Sequence, residues 1–161
     1  MTDVAAPPMP AVGDPAPDFA LPDDTGTVRR LADARGRWLV LFFYPKDDTP
    51  GCTVEACEFR DANETIAERG ADVWGISPQG AASKRAFSEK FGLPFTLLAD
   101  EDHAVSETYG VWVEKSFAGK KYMGVERSTF VIDGDGNLAK VMRNVKPDTH
   151  ADDVLAALPD S

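Results

Sequence analysis

Residues 38–44 read WLVLFFY, an unbroken apolar run that is followed at once by Pro45 and, a few residues on, by Pro50. A strand with one wet face would alternate, so a continuous run of this kind suits a strand buried on both faces, inside an α/β sheet. Proline has no N–H for a sheet ladder, and Pro45 therefore ends the strand. A helix start follows directly. Thr49 suits the N-cap and Pro50 the first helical position, and residues 53–69 supply helix formers, with apolar or small side chains at Val54, Cys57, Ala62 and Ile66 as the expected packing face. This strand, turn and helix place Cys52 in a first helical turn. There the unpaired backbone N–H groups and the positive end of the helix dipole favour a thiolate over a thiol. A cysteine at such a position is expected to face solvent and do chemistry, whereas a packed core cysteine usually sits mid-element on an apolar stripe.

The rest of the chain supplies further sheet and helix. Residues 19–31 (FALPDDTGTVRRL) place Asp-Thr-Gly between two short extended pieces, a hairpin signal, and a helical turn is expected over residues 31–35. Residues 71–77 (ADVWGIS) read as a second apolar strand, and residues 81–91 as a helix stopped by Gly92 and Pro94. A short strand is expected at residues 95–98, and a short helix opened by Asp102 at residues 102–109. Residues 128–132 and 138–142 flank Asp133-Gly134-Asp135-Gly136-Asn137 and suggest an antiparallel hairpin. That acidic loop is read as a turn and not as a calcium loop, because the sixth and twelfth positions hold Leu138 and Asn144 where an EF-hand needs Gly and Glu. Thr149 and Asp152 resemble a capping box opening a last helix over residues 149–158.

Strands alternating with helices, then a closing hairpin and helix, define an α/β protein with a central mixed sheet flanked by helices. The 161 residues suit a single domain over residues 12–161, behind a proline-rich leader, residues 1–11, expected to be disordered. With 27 acidic against 17 basic residues the formal charge is −10, which opposes binding to nucleic acid or to anionic membranes. No apolar run reaches the roughly 18 residues of a membrane span, and the N-terminus has no secretory pattern, so a cytoplasmic location is expected. In that compartment two cysteines point to catalysis and not to a structural disulfide. His103 and His150 show no ligand spacing with the cysteines, so no metal and no other cofactor is expected.

The order Pro45, three residues, Thr49, two residues, Cys52, within YPKDDTPGCT and followed by Glu55 and Cys57, resembles the active-site signature of the peroxiredoxins. The branch it looks like is the one called bacterioferritin comigratory protein or PrxQ. The likeness extends to GISP at residues 75–78, KFGLPFTLL at 90–98, YGVW at 109–112 and GKKYMGVERSTFVID at 119–133, and so spans residues 12–158. One departure is Gln79 after Ser77-Pro78, where relatives more often carry an acidic residue. The resemblance implies a thioredoxin-like fold and a thiol peroxidase that reduces hydrogen peroxide and organic hydroperoxides. It makes Cys52 the nucleophile and implies that Cys57 resolves its sulfenic acid as an intramolecular disulfide. It also implies that Thr49 bonds the peroxide, that Arg127 touches thiolate and substrate, that Pro45 shields the thiolate, and that Glu55 holds Arg127, with Gly51 supporting the site. A thioredoxin or a similar dithiol would return the electrons, and the protein would act as a monomer or a weak homodimer in antioxidant defence.

Two other classes compete. A thioredoxin-like disulfide reductase would use Cys-x-x-Cys, whereas four residues separate Cys52 from Cys57. A non-catalytic, redox-responsive binding module could share the fold, because fold alone does not fix function. Helix geometry adds a constraint on the two cysteines. Five residues along a helix amount to a rise of roughly 7.5 Å and a turn of about 140° past a full circle, so Cys52 and Cys57 leave an intact helix on different sides.

Overall fold

The computed structural model describes residues 10–148 and 150–159. Most of the leader, and Thr149 with its expected capping box, lie outside the described residues. In chain order the elements are β1 (Ala20–Pro22), β2 (Val28–Arg30), a 3-10 turn (Leu31–Ala34), β3 (Trp38–Phe43), α1 (Pro50–Glu68), β4 (Ala71–Ser77) and α2 (Ala81–Phe91). They continue with β5 (Thr96–Ala99), α3 (Ala104–Thr108), β6 (Trp112–Phe117), β7 (Lys120–Val125), β8 (Ser128–Ile132), β9 (Leu138–Met142) and α4 (His150–Ala157).

The central sheet has the order β5-β4-β3-β8-β9, with β5, β4 and β3 parallel and β8 and β9 antiparallel to their neighbours. It is the mixed, helix-flanked sheet of a thioredoxin-like fold. Strand β3 lies in the middle, and its two buried faces explain why its sequence shows no alternation: Val40, Phe42 and Tyr44 pack with α1, α2 and α4 on one side. Leu39, Leu41 and Phe43 pack on the other against Phe19, Val105, Tyr109 and Phe130. Burying each such side chain is worth roughly 1.5–3 kcal/mol, so both faces contribute to holding β3 in the centre.

Helix α1 begins at Pro50 and ends where Gly70, at φ 81°, turns the chain into β4. Its buried stripe is Cys52, Glu55, Ala56, Phe59 and Ile66, a spacing of three and four residues that makes one face. This corrects the face expected from sequence. Of that expected set only Ile66 is buried, while Val54 is 42% exposed and Cys57 and Ala62 are half-buried. The helix turns a charged residue, Glu55, inward because a buried cation awaits it there, and apolarity alone could not reveal that.

Three further expectations change. Asp102 does not open α3 alone: the buried carboxylate of Asp100 accepts the N–H groups of Val105 and Ser106, while Asp102 accepts only that of Ala104. The β6–β7 hairpin is an addition to the elements expected, because its two-residue turn is Ala118-Gly119, both at positive φ, and lacks the usual Asn-Gly or Asp-Gly wording. Strand β5 is shifted one residue along from the expected position. The Asp133 loop behaves as a turn, its carboxylate accepting the N–H groups of Asp135 and Asn137. Among the described residues no helix is long and apolar enough to cross a membrane.

Candidate active site

Two pieces of backbone converge where β3 ends. The chain leaves β3 through Pro45 and re-enters regular structure at Pro50, so the loop 45–49 runs directly into the start of α1. From the other side, β8 pairs antiparallel with β3 in the register Phe43↔Ser128, so Arg127, one residue earlier, arrives beside the loop. Sequence separation between Arg127 and Cys52 is thereby erased by a single strand pairing.

Thr49 occupies the N-cap position, and its carbonyl accepts the Thr53 N–H at 2.8 Å. Its hydroxyl does not cap the helix as expected. It turns back and donates to the Lys46 carbonyl at 2.8 Å, which commits the hydroxyl proton and leaves the oxygen lone pairs able to accept a further hydrogen bond. The N–H groups of the first helical turn have no intrahelical acceptor.

Cys52 is 2% exposed, which corrects the expectation of a solvent-facing sulfur. It belongs to the buried cluster that also holds Tyr44, Ala56 and Phe59. Arg127 Nη2 donates to Cys52 Sγ at 3.3 Å, and Nη1 donates to Glu55 Oε1 at 2.6 Å. Gly51 makes the approach possible: a Cβ there would stand 3.1 Å from Arg127 Nη2. Glu55 is fully buried, and burial pushes its carboxyl up to about 7, with Arg127 pulling in the opposite direction. Its second oxygen, Oε2, has no hydrogen-bond partner among the described residues. The guanidinium is thus aimed by a carboxylate on one side and directed at sulfur on the other.

Cys57 is half-buried, and both cysteines are free thiols. They lie on different sides of α1, as helix geometry requires. A disulfide needs Cα atoms about 4.4–6.8 Å apart with converging Cβ directions, which an intact helix does not give residues five apart.

Several residues around the site are ones that sequence reasoning missed. Asp47, within the loop, is buried and pairs with Lys84 of α2, which is wholly buried. A signal for Lys84 exists in the sequence: it falls on the same stripe of α2 as Phe87 and Phe91, where a charged side chain must find a partner. Lys115 on β6 is half-buried beside the site; burial lowers its pKa, and the charge of Arg127 lowers it further. A cleft of about 330 Å³ runs from Pro45 to the β6–β7 hairpin past Trp112, Tyr122 and Met123, and Lys115 lines it.

The fold and this site together define a thiol-based peroxidase: a cysteine at a helix start with a guanidinium on its sulfur, preceded by a proline- and threonine-bearing loop. The chain belongs to the AhpC/TSA family, whose model matches residues 12–141, and within it to the peroxiredoxins of the bacterioferritin comigratory protein or PrxQ branch. It is 48% identical to Peroxiredoxin Bcp of Bacillus subtilis (strain 168) over 92% of this chain and 95% of that protein. It is also 48% identical to Peroxiredoxin Bcp of Escherichia coli (strain K12), over 89% of this chain and 92% of that protein. Among solved structures it resembles the bacterioferritin comigratory protein of Xanthomonas campestris, with TM-score 0.82 and 40% identity, covering 86% of this chain and 88% of that one. A cysteine-to-serine variant of PrxQ from Xylella fastidiosa gives TM-score 0.87 at 33% identity, covering 93% of this chain and 95% of that one.

Proposed function

We propose that this peroxiredoxin reduces hydrogen peroxide and organic hydroperoxides at Cys52, uses Cys57 as the resolving thiol, and takes its reducing electrons from thioredoxin or a similar dithiol. The observation that carries this reading is the single guanidinium of Arg127 held between Cys52 and Glu55 at the start of α1. The Cys52 thiolate attacks one peroxide oxygen and the O–O bond breaks. The departing oxygen leaves with the electron pair, takes a proton as water or an alcohol, and Cys52 becomes a sulfenic acid. Negative charge grows on the departing oxygen, where Arg127 and the first-turn N–H groups of α1 can receive it. Thr49 accepts the peroxide O–H, and Pro45 shields the thiolate.

Cys57 then attacks the sulfenic sulfur, water leaves, and a Cys52–Cys57 disulfide forms. The first turns of α1 must unwind for this step, and Gly51 with the N-terminal turn is where the helix yields. A dithiol supplies the two electrons that restore both thiols. Alkyl peroxide reduction is the activity described for the Xanthomonas campestris relative, and the apolar cleft beside Pro45 supports the same substrate class here. We place the enzyme in the cytoplasm as a monomer, with residues 12–161 acting as one domain.

The test is peroxide consumption coupled to NADPH oxidation through thioredoxin and its reductase. The wild type should turn over. Cys57→Ser should reduce one equivalent of peroxide, fail to cycle, and accumulate sulfinic acid in excess peroxide. Mass spectrometry of the oxidised wild type should find an intramolecular Cys52–Cys57 bond, with far-UV circular dichroism reporting helix lost on oxidation and regained on reduction. Insulin reduction without peroxide turnover would overturn the reading in favour of a disulfide reductase, and neither activity would favour a binding module. Only intermolecular disulfides, or an internal bond formed with no loss of helix, would overturn the resolving step.

A further inference from the structure

The loop 45–49 carries Pro45 and Thr49, yet it makes no strand and spans only a few residues, with Asp48 in the left-handed region at φ 57°. A loop of this kind stays in one conformation only when its surroundings fix it. Here a buried polar network does so. Tyr44 Oη donates to Asp47 Oδ1 at 2.5 Å, Ser83 Oγ donates to Asp47 Oδ2 at 2.8 Å, and Lys84 Nζ donates to both oxygens at 3.4 and 3.3 Å. Lys84 Nζ also donates to Ser77 Oγ, whose own proton goes to Gln79 Oε1 at 2.8 Å. Gln79 then grips the loop backbone twice, accepting the Asp47 N–H at 3.0 Å and donating to the Pro45 carbonyl at 3.3 Å. These links tie β4, α2 and the residues after β4 to the loop, and none of them is a hydrogen bond to the sulfur.

We propose that Lys84 is a positioning residue for peroxide reduction, acting through Asp47 to hold Pro45 and Thr49 over Cys52. The proposal rests on the peroxidase reading above and adds to it the cause of the loop's conformation. Asp47 is buried, and a buried carboxylate deprived of its cation must either take up a proton or move toward water. Either response shifts the loop that bears Thr49. Lys84 makes no hydrogen bond to the sulfur, and its charge acts only on the ionisation that both reactions share, so its loss should separate two reactions of the same sulfur. Peroxide reduction needs the loop to orient an O–O bond, whereas alkylation by iodoacetamide needs only a reachable thiolate.

A pH signature follows from the groups around the ammonium. It faces Asp47 from the loop, Asp100 after β5, Cys52 from α1, and the ring of Tyr44 after β3 at 5.3 Å. Burial lowers the Lys84 pKa to about 8, with Asp47 and Asp100 opposing. As pH rises through that value the ammonium loses its proton and its hold on Asp47. The ratio of oxidation to alkylation rates cancels the ionisation of Cys52 itself, and in the wild type this ratio should fall above pH 8.

The experiment uses the full chain with Lys84→Met and, because that variant can fail to fold, the isosteric Asp47→Asn. Stopped-flow oxidation by hydrogen peroxide and iodoacetamide alkylation are measured side by side, with circular dichroism to check folding. Either folded variant should lower the ratio of oxidation to alkylation rates tenfold or more and lose the fall of that ratio at high pH. The double variant Lys84→Met/Asp47→Asn, which removes both charges together, should recover part of the rate. Oxidation within twofold of the wild type in a folded variant would overturn the proposal, and so would oxidation and alkylation falling in parallel. A wild type that does not reduce peroxide would instead overturn the peroxidase reading, independently of Lys84.

Discussion

Arg127 spans Cys52 and Glu55 with the two terminal nitrogens of one guanidinium, Nη2 at 3.3 Å from the sulfur and Nη1 at 2.6 Å from the carboxylate. A lysine in its place has one charged nitrogen and cannot reproduce two directed bonds in one plane. Arg127→Lys should therefore reduce the rate of Cys52 oxidation by about 10²-fold, in the range for losing one aimed donor at a developing oxyanion. Stopped-flow tryptophan fluorescence during single-turnover oxidation checks it, and a rate within a few-fold of the wild type would deny Arg127 a catalytic role.

Glu55 gives the same pair a pH dependence. Its folded-state pKa, pushed up to about 7 chiefly by burial, lies above the ordinary value of 4.5 that the unfolded chain would have. The unfolded state then releases this proton first as pH rises. Stability from the group is present in full below pH 4.5 and is lost as pH climbs through 7, by up to about 3 kcal/mol. In Glu55→Gln this component of the pH dependence should vanish. Urea unfolding of both proteins between pH 4.5 and about 8 measures the slope, and equal slopes would show that Glu55 keeps an ordinary pKa.

Thr49 donates to Lys46 and not to the helix, so removing its hydroxyl costs the fold little. Thr49→Val should lower the peroxide rate by about tenfold or more while changing stability by about 1 kcal/mol or less. Thr49→Ser should retain most of the activity. Equal kinetics for the Val and Ser variants would leave the hydroxyl without a part in the reaction.

In the folded helix Gly51 leaves room for Arg127, a role separate from the yielding proposed for it during disulfide formation. A methyl group at this position would lie 3.1 Å from Arg127 Nη2. Alanine is a better helix former than glycine, by about 1 kcal/mol in a helix interior, so Gly51→Ala should not weaken α1. It should nonetheless slow Cys52 oxidation several-fold by pushing the guanidinium off the sulfur. Thermal unfolding and oxidation kinetics, taken together, would show the two effects diverging; an unchanged rate would mean that Arg127 adjusts at no cost.

His150 is buried between Thr129, at 2.5 Å from Nε2, and the edge of Phe59. Burial, aided by the charge of Arg127, lowers its pKa from 6.5 to about 4. A neutral imidazole is therefore preferred in the folded state. Its contribution is present above pH 6.5 and is lost as pH falls toward 4, up to about 3 kcal/mol. His150→Gln should lose less stability than the wild type as the pH is lowered from about 7 to about 4.5. Parallel losses in chemical denaturation would place the acid sensitivity elsewhere.

The sequence by itself determined the elements that local chemistry specifies. The run at residues 38–44, stopped by Pro45, became the central strand, and Thr49-Pro50 became a helix start with Cys52 in its first turn. The bounds of α2, β4, β8 and β9 were legible for the same reason: glycine, proline and apolar period act over a few residues. The hairpin of β6 and β7 was not, because its turn residues carry little signal and its strands show mostly exposed, mixed side chains. What only the tertiary structure decided is which charges meet. Glu55 lies on the buried side of α1, displacing Val54 and Cys57 from the face that hydrophobicity suggested, because β8 delivers Arg127 to that side. Asp47 and Lys84 are 37 positions apart and are joined by the packing of α2 against the loop. A helix's period can be read from its own residues, but the partner that makes a buried charge tolerable is supplied by another strand or helix, and its position is fixed only when the sheet has formed.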